Sequence, residues 1–295
     1  MAFEPSVRLQ RALGETRNEG AAAWLRDAAG ALDAALEQSG AALERVVVPG
    51  GRSSVVALVR TADGEPAALK VAPEAARPAD EAAALGAWSG LGAAKLLASG
   101  PGWMLLERLQ TDVSVRTLPE AKALLEAAGT LRRLWVPVSS YAFETVEART
   151  ARQAAAMSAS ADGETAGLVE AAVAARESLL AAPPEHVLLH GSLRQSKILA
   201  AGRMPWLAVG PVPVVGERAF DLARLVRDRV EDLVGAPSGA AVTRSRLRRL
   251  ADSLDVDRDR LRGWVLFRAV ESGVRARRVG REEDAELLLE FATWL

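Results

Sequence analysis

The chain is expected to fold as an α+β protein of two lobes, the first rich in strands and the second helical. Three observations predict this. Between Arg45 and Arg108, short Val-, Leu- and Ala-rich runs alternate with turn residues, and one helical period interrupts them. From Pro119 to the C-terminus the apolar spacing becomes helical. The length, 295 residues of which 49% are hydrophobic, suffices to pack two lobes. The division is expected at residues 1–109, N-terminal helices plus the β-rich lobe, and 110–295, the helical lobe.

In order along the chain, Leu9, Leu13, Trp24, Leu25, Ala28, Leu32 and Leu36 recur at helical spacing and predict one or two helices between Ser6 and Ser39. Strands follow over Arg45–Val48, Ser54–Arg60 and Pro66–Ala72. The last two are joined by a hairpin turn through Ala62-Asp63-Gly64. Arg77–Ser89 reads as a helix with Ala82, Leu85 and Trp88 inward, and Lys95–Ala98 and Trp103–Arg108 as short strands. Pro119–Trp135 is a helix whose apolar face is Leu124, Leu125, Ala128, Leu131 and Leu134. Helices near Glu144–Met157 and Gly163–Ala181 come next, and Pro183-Pro184 stops the second. Short strands are expected at Val187–Leu189, Ile198–Ala200 and Leu207–Val209. Helices then run over Phe220–Leu233, Ser238–Leu254 and Asp257–Gly280, and a last one reaches the C-terminus. The seven tryptophans are spread widely and read as core anchors.

Composition narrows the function classes. There is no cysteine, which excludes disulfides, zinc thiolate sites and thiol catalysis. The start, Met-Ala-Phe-Glu-Pro-Ser, lacks a signal-peptide pattern, and no apolar run is long enough for a membrane span. A cytoplasmic protein without a membrane partner is the expectation. A net charge of −1 gives no global field for nucleic acid. The cations are 33 Arg and four Lys, the lysines at 70, 95, 122 and 197. The runs Arg244-Ser-Arg-Leu-Arg-Arg249 and Arg275-Ala-Arg-Arg278 are each followed by acidic residues, so they read as solvated, ion-paired helix faces.

The densest motif is Val187-Leu-Leu-His-Gly-Ser-Leu-Arg-Gln-Ser-Lys-Ile-Leu-Ala200, followed by Trp206-Leu-Ala-Val-Gly-Pro-Val-Pro213 and Phe220-Asp-Leu-Ala223. It closely resembles the aminoglycoside phosphotransferase family, in particular its streptomycin and hydroxyurea kinase branch. The family pattern is H-G-D-x-H-x-x-N-I-L, W-L-x-I-D-P-K-P and F-D-L-A. The resemblance implies a protein-kinase-like fold over about Val46 to Leu295, ATP as cofactor, and a role in antibiotic resistance. By that pattern Ser192 stands at the catalytic Asp, Lys197 at the metal-binding Asn, Gly210 at the second metal-binding Asp, and Arg194 at a His. His190 matches the motif His, which braces the loop.

On the nucleotide side, Ala68-Leu-Lys-Val71 places Lys70 inward on a strand, like the family's phosphate-binding Lys, and Glu81 resembles its pairing Glu. The alternative for Lys70 is a surface side chain snorkelling from an edge strand. Pro49-Gly-Gly-Arg-Ser-Ser-Val55 joins two strands and can cover phosphates, with Ser53 or Ser54 offering a hydroxyl. The alternative for that segment is a plain turn. By the family resemblance alone, the stretch around Glu107–Leu109 would offer its backbone to adenine.

On the catalytic side, a serine hydroxyl cannot replace a carboxylate base at neutral pH. Lys197 and Gly210 replace both metal ligands, so no metal site is predicted and Mg2+ is not expected to bind. Two carboxylates are lost and two cations gained, a local change of about four charges when the family His is neutral. Glu217 and Asp221 are the nearest downstream carboxylates that metal could recruit. Asp221 is otherwise a structural residue that caps a helix start, and His186 a partly buried polar residue. Between Glu217 and Glu290, 16 Arg face 15 Asp and Glu, which argues against a polycationic substrate. Three readings remain open. The first is a degenerate kinase, or pseudokinase, that binds nucleotide and acts through a small-molecule or protein partner. The second is an active ATP-dependent phosphotransferase, a transferase acting on a small hydroxylated antibiotic or metabolite, with rebuilt metal ligation. The third is a helical interaction scaffold.

Overall fold

A computed structural model of the chain describes residues 3–138 and 140–295. They form two compact units. The first runs to Ser114 and takes in Leu199–Gly210; the second comprises Val115–Ile198 and Pro211–Leu295.

The first unit is built on a five-stranded sheet of order β1-β2-β3-β5-β4, from β1 (Ala42–Val46), β2 (Val55–Arg60), β3 (Pro66–Val71), β4 (Leu96–Gly100) and β5 (Trp103–Glu107). All its pairings are antiparallel. The predicted hairpin is present: Arg60 pairs with Pro66, Thr61 N–H donates to the Glu65 carbonyl, and Gly64 supplies φ +81°. Strand alternation sends Ala67, Leu69 and Val71 to one face, where α1 (Val7–Gly14), α2 (Glu19–Arg26) and α3 (Ala28–Ser39) cover them. Leu9, Leu13 and Leu32 enter the same core, and burying each such side chain stabilises by roughly 1.5–3 kcal/mol. The helical segment expected as one or two helices is three. Asn18 caps the second by accepting from Ala21 N–H, which splits the run. The opposite face of the sheet carries α4 (Pro78–Trp88), with Glu81, Leu85 and Trp88 buried.

A second, three-stranded sheet in this unit has the order β10-β9-β6, from β6 (Gln110–Ser114), β9 (Ile198–Ala200) and β10 (Trp206–Ala208). Residues 110–114 carry no strand signal in the sequence; they pair with β9 through a bulged register, Gln110 with Ala200 and Ser114 with Leu199.

The second unit is helical around a small antiparallel sheet, β11-β8-β7, from β7 (Val136–Pro137), β8 (Val187–Leu189) and β11 (Val214–Gly216). Its helices are α5 (Glu120–Leu134), α6 (Val146–Ser158), α7 (Ala166–Ala181), α8 (Arg218–Val226), α9 (Val230–Val234), α10 (Gly239–Leu254), α11 (Arg258–Arg278) and α12 (Glu282–Ala292). The helix expected over Phe220–Leu233 is two, because Arg229 adopts φ +58° and breaks the run. Trp264 anchors this core edge-to-face against both Phe220 and Phe267, at ring centroids 5.1 and 5.9 Å.

Several side chains sit otherwise than their periodicity suggests. Leu125 is 69% exposed, although it was expected on the inner face of α5. Of the tryptophans, Trp88, Trp103 and Trp264 are buried, whereas Trp24, Trp135, Trp206 and Trp294 are half-buried. Arg246, in a run read as solvated, is buried and donates to the carbonyls of Val226 and Asp228. Of the other arginines in these runs, Arg275 pairs with Glu271 and Arg277 with Asp162 and Glu164.

Candidate active site

In the first unit the alternation of β3 aims Lys70 away from the α1–α3 core and toward α4. Its Nζ donates to both Glu81 carboxylate oxygens, at 2.6 and 2.5 Å, and the two residues are 8% and 5% exposed. The surface alternative for Lys70 is thereby excluded. A buried ion pair with both partners present is stable; removing either leaves an uncompensated charge. In the loop from Val47 to Ser54, Gly50 has φ +66°, and a Cβ there would lie 2.8 Å from the Val47 carbonyl oxygen. Ser53 is exposed and Ser54 is buried, so only the Ser53 hydroxyl is at the surface. At the end of β5, the Glu107 carboxylate accepts Lys95 N–H at 2.6 Å and Arg203 Nε at 2.9 Å. Gly210, the last residue of this unit, has φ +62°.

In the second unit β8 delivers His190 to the start of the loop that resembles a catalytic loop. Gly191 turns it with φ +74°, and a Cβ there would sit 2.0 Å from the Val212 carbonyl oxygen, so no other residue fits. His190 is fully buried, and its Nδ1 accepts Ser192 N–H at 3.3 Å. Asp221 holds the loop from below: its two carboxylate oxygens accept His190 N–H at 2.8 Å and Gly191 N–H at 2.9 Å. Burial pushes the Asp221 carboxyl above its ordinary range, against the pull of Arg268 and these two donors. Further on, Gln195 N–H donates to Asp228 at 2.6 Å, and the Gln195 amide oxygen accepts Arg229 Nε at 2.8 Å. The break between α8 and α9 therefore supports the loop. Lys197, two residues past the second support, donates from Nζ to Ser192 Oγ, which lies between the two, at 2.7 Å. Lys197, Arg194 and Ser192 are all half-buried.

Three expectations change. Asp221 does not cap its own helix; it caps the loop. Glu217 is not available to a metal, because its carboxylate accepts Arg260 at 2.6 Å and Trp264 Nε1 at 2.7 Å. His186 is exposed, not partly buried. Asp228 and Arg229 escaped the sequence reading because they continue an apparently helical run.

Among the described residues no group of three or more His, Cys, Asp and Glu is arranged to hold a metal. At the two positions where the family pattern has metal ligands, the chain offers an ammonium and no side chain. These residues do not fit Mg2+, which takes carboxylate and carbonyl oxygens. Lys70, paired and inward on its strand, does fit a nucleotide phosphate.

Comparison with known proteins decides the family. The model of the aminoglycoside/hydroxyurea antibiotic resistance kinases matches residues 39–280. This chain belongs to that family. Among curated family members, streptomycin 6-kinase of Streptomyces griseus is 35% identical over 236 residues, covering 76% of this chain and 75% of that protein. Hydroxyurea phosphotransferase of Kitasatospora aureofaciens is 33% identical over 241 residues, covering 75% and 65%. Among solved structures, a thermostable mutant of aminoglycoside phosphotransferase APH(4)-Ia in a ternary complex with AMP-PNP and hygromycin B superposes with a TM-score of 0.61. It is 14% identical, covering 88% of this chain and 95% of that one. APH(3'')-Id of Streptomyces rimosus, in complex with ADP and streptomycin, gives 0.56 at 18% identity, covering 84% and 98%. The two-lobed kinase-like α+β fold of this family member is thus as expected. No helix among its described residues is long and apolar enough to cross a membrane.

Proposed function

We propose that this chain is a nucleotide-binding member of its family, acting in the cytoplasm, in which phosphoryl transfer is impaired. The single observation that carries the reading is the 2.7 Å contact from Lys197 Nζ to Ser192 Oγ. With an ammonium on its lone pair, the Ser192 hydroxyl is a donor and does not take a proton from an acceptor alcohol. Loss of a general base costs about 10²–10⁴ in rate. The loop, with Arg194 beside it, is a cationic surface suited to a phosphate oxygen without metal. On the nucleotide side, the Lys70–Glu81 pair supports retention of ATP binding, Lys70 meeting phosphate and Ser53 offering its hydroxyl. His190 braces the loop.

A thermal-shift titration with ATP, in Mg2+ and again in EDTA, tests this. Ligand 100-fold over its dissociation constant stabilises by about 2.7 kcal/mol. A shift that survives EDTA is the expected result; no shift in either condition rejects nucleotide binding. A second reading, an active phosphotransferase on a small hydroxylated compound with rebuilt metal ligation, is favoured by the same intact Lys70–Glu81 pair and by the activities in the relatives' names. A shift that requires Mg2+, with turnover, would select it.

A further inference from the structure

Helices α8 and α11 pack on one another in the second unit, and their facing stripes repeat at helical spacing. On α8 and the residue after it the stripe is Asp221, Arg224 and Arg227; on α11 it is Arg268, Ser272 and Arg275. The stripes are knitted together. Arg227 Nη2 donates to Ser272 Oγ at 2.9 Å, Ser272 Oγ donates to Glu271 at 3.1 Å, and Glu271 accepts Arg275 Nε at 2.8 Å. Arg268 lies 4.3 Å over the Phe220 ring and donates to the carbonyls of Phe220 at 2.7 Å and Gly191 at 2.8 Å. Gly191 precedes Ser192, so the stripe starts at the candidate catalytic loop.

The charges in this stripe oppose one another. Four guanidiniums gather where Glu271 and Asp221 supply the carboxylates, and Asp221 already serves the loop. The hydrogen bonds of the two enclosed cations, Arg227 and Arg268, go to neutral oxygens. Burial, with Arg224 next, holds Arg227 well below its ordinary value and pushes Arg268 down to about 9. A guanidinium gives up its proton reluctantly, so an anion is the natural relief of this field. Access is graded: Arg227 is 7% exposed, Arg224 and Arg268 are half-buried, and Arg275 is exposed.

We propose that Arg224, Arg227, Arg268 and Arg275 form an anion-binding subsite beside the catalytic loop, taking a small molecule that carries a phosphate monoester. Planar guanidiniums offer paired donors that match phosphate oxygens. Only the description of the neighbouring loop as catalytic rests on the reading in the preceding subsection; anion binding itself does not.

The test is isothermal titration of the full chain with inorganic phosphate and with glucose 6-phosphate, at ionic strength fixed with NaCl and with glucose as the uncharged control. Saturable binding of both phosphates and none of glucose is expected. Arg224→Gln and Arg275→Gln, at accessible positions and checked for fold by circular dichroism, should each weaken that binding roughly tenfold, as for loss of a charge-assisted bond. Absence of phosphate binding in the parent overturns the proposal, and so does unchanged binding in both arginine variants. ATP binding that persists in those variants would leave the nucleotide reading standing in either case.

Discussion

Lys197 Nζ donates to Ser192 Oγ at 2.7 Å within a loop braced at Gly191 by Asp221 and at Gln195 by Asp228 and Arg229. A side chain fixed by its own hydrogen bond, two residues past a braced position, is presented at small entropic cost to whatever it binds. Lys197→Ala should therefore weaken nucleotide binding in EDTA by about ten- to a hundredfold, the worth of a hydrogen bond to a charged group. Calorimetric titration in EDTA checks this, and an unchanged affinity would remove Lys197 from the phosphate site.

The backbone still allows the family's acidic residues. Gly210 has φ +62°, a conformation most side chains avoid but Asp and Asn tolerate. The triple change Ser192→Asp, Lys197→Asn, Gly210→Asp should fold, with a loss of stability of about 1–2 kcal/mol at position 210. It should raise Mg2+-dependent ATP hydrolysis or transfer above the parent's background, read by ADP release. A folded triple variant with no gain would mean that the impairment lies outside these three positions.

The sequence made some of this visible and hid the rest for identifiable reasons. Lys70 was legible because a lone Lys amid Ala, Leu and Val on a strand needs a partner, and Glu81 falls on the next helix. The loop was legible because its spacing is dense. The supports were not: Asp228 and Arg229 sit in Phe220-Asp-Leu-Ala-Arg-Leu-Val-Arg-Asp-Arg-Val230, a run with no Gly or Pro to announce the break at Arg229. Strands β6, β7 and β11 were missed because their pairing is non-local and their residues follow no period of two. The burial of Arg246 was missed for a similar reason: besides Glu120 on α5, its acceptors are main-chain carbonyls at the end of another helix, which no side-chain pattern records.

The buried pair Lys70–Glu81 makes a stability prediction independent of any ligand. Glu81→Ala leaves the Lys70 ammonium buried without its carboxylate and should cost about 3–5 kcal/mol. The double variant Lys70→Met, Glu81→Leu replaces the pair by apolar groups of similar length and should recover most of that loss. Urea unfolding of the three proteins checks it. A Glu81→Ala variant as stable as the parent would mean that water reaches Lys70.

Acid sensitivity should show at Asp162. Its carboxylate accepts the backbone N–H of Thr165 at 2.9 Å and the Thr165 hydroxyl at 2.8 Å, and it faces Arg277 at 3.1 Å. The hydrogen bonds from Thr165, with Arg277 behind them, lower its carboxyl to about 2. The folded value is below the unfolded one, so the contribution is complete above the ordinary carboxylate range and is lost as pH falls toward 2. Thermal melts of Asp162→Ala and the parent should therefore differ at pH 6 and converge between about pH 4 and pH 2. A difference constant with pH would assign the effect to packing instead.

The last prediction concerns α1, which precedes the region matched by the family model. Ser6 Oγ donates to the Pro49 carbonyl at 2.7 Å, and Arg52 pairs with Glu15 at 3.2 Å, so α1 is tied to both ends of the glycine segment. Leu9 anchors the helix in the sheet core. An exposed ion pair contributes about 0.2–1 kcal/mol, so Glu15→Ala should change nucleotide affinity by less than about fivefold while leaving the melting temperature nearly unchanged. Leu9→Ala should instead lower stability by about 2–5 kcal/mol, because it empties a packed site. If α1 orders the glycine segment for nucleotide, combining Ser6→Ala with Glu15→Ala should weaken ATP binding more than either alone, without further loss of stability. If the double variant binds ATP as the parent does, α1 only covers the sheet, and the glycine segment keeps its shape through Gly50 and its own backbone.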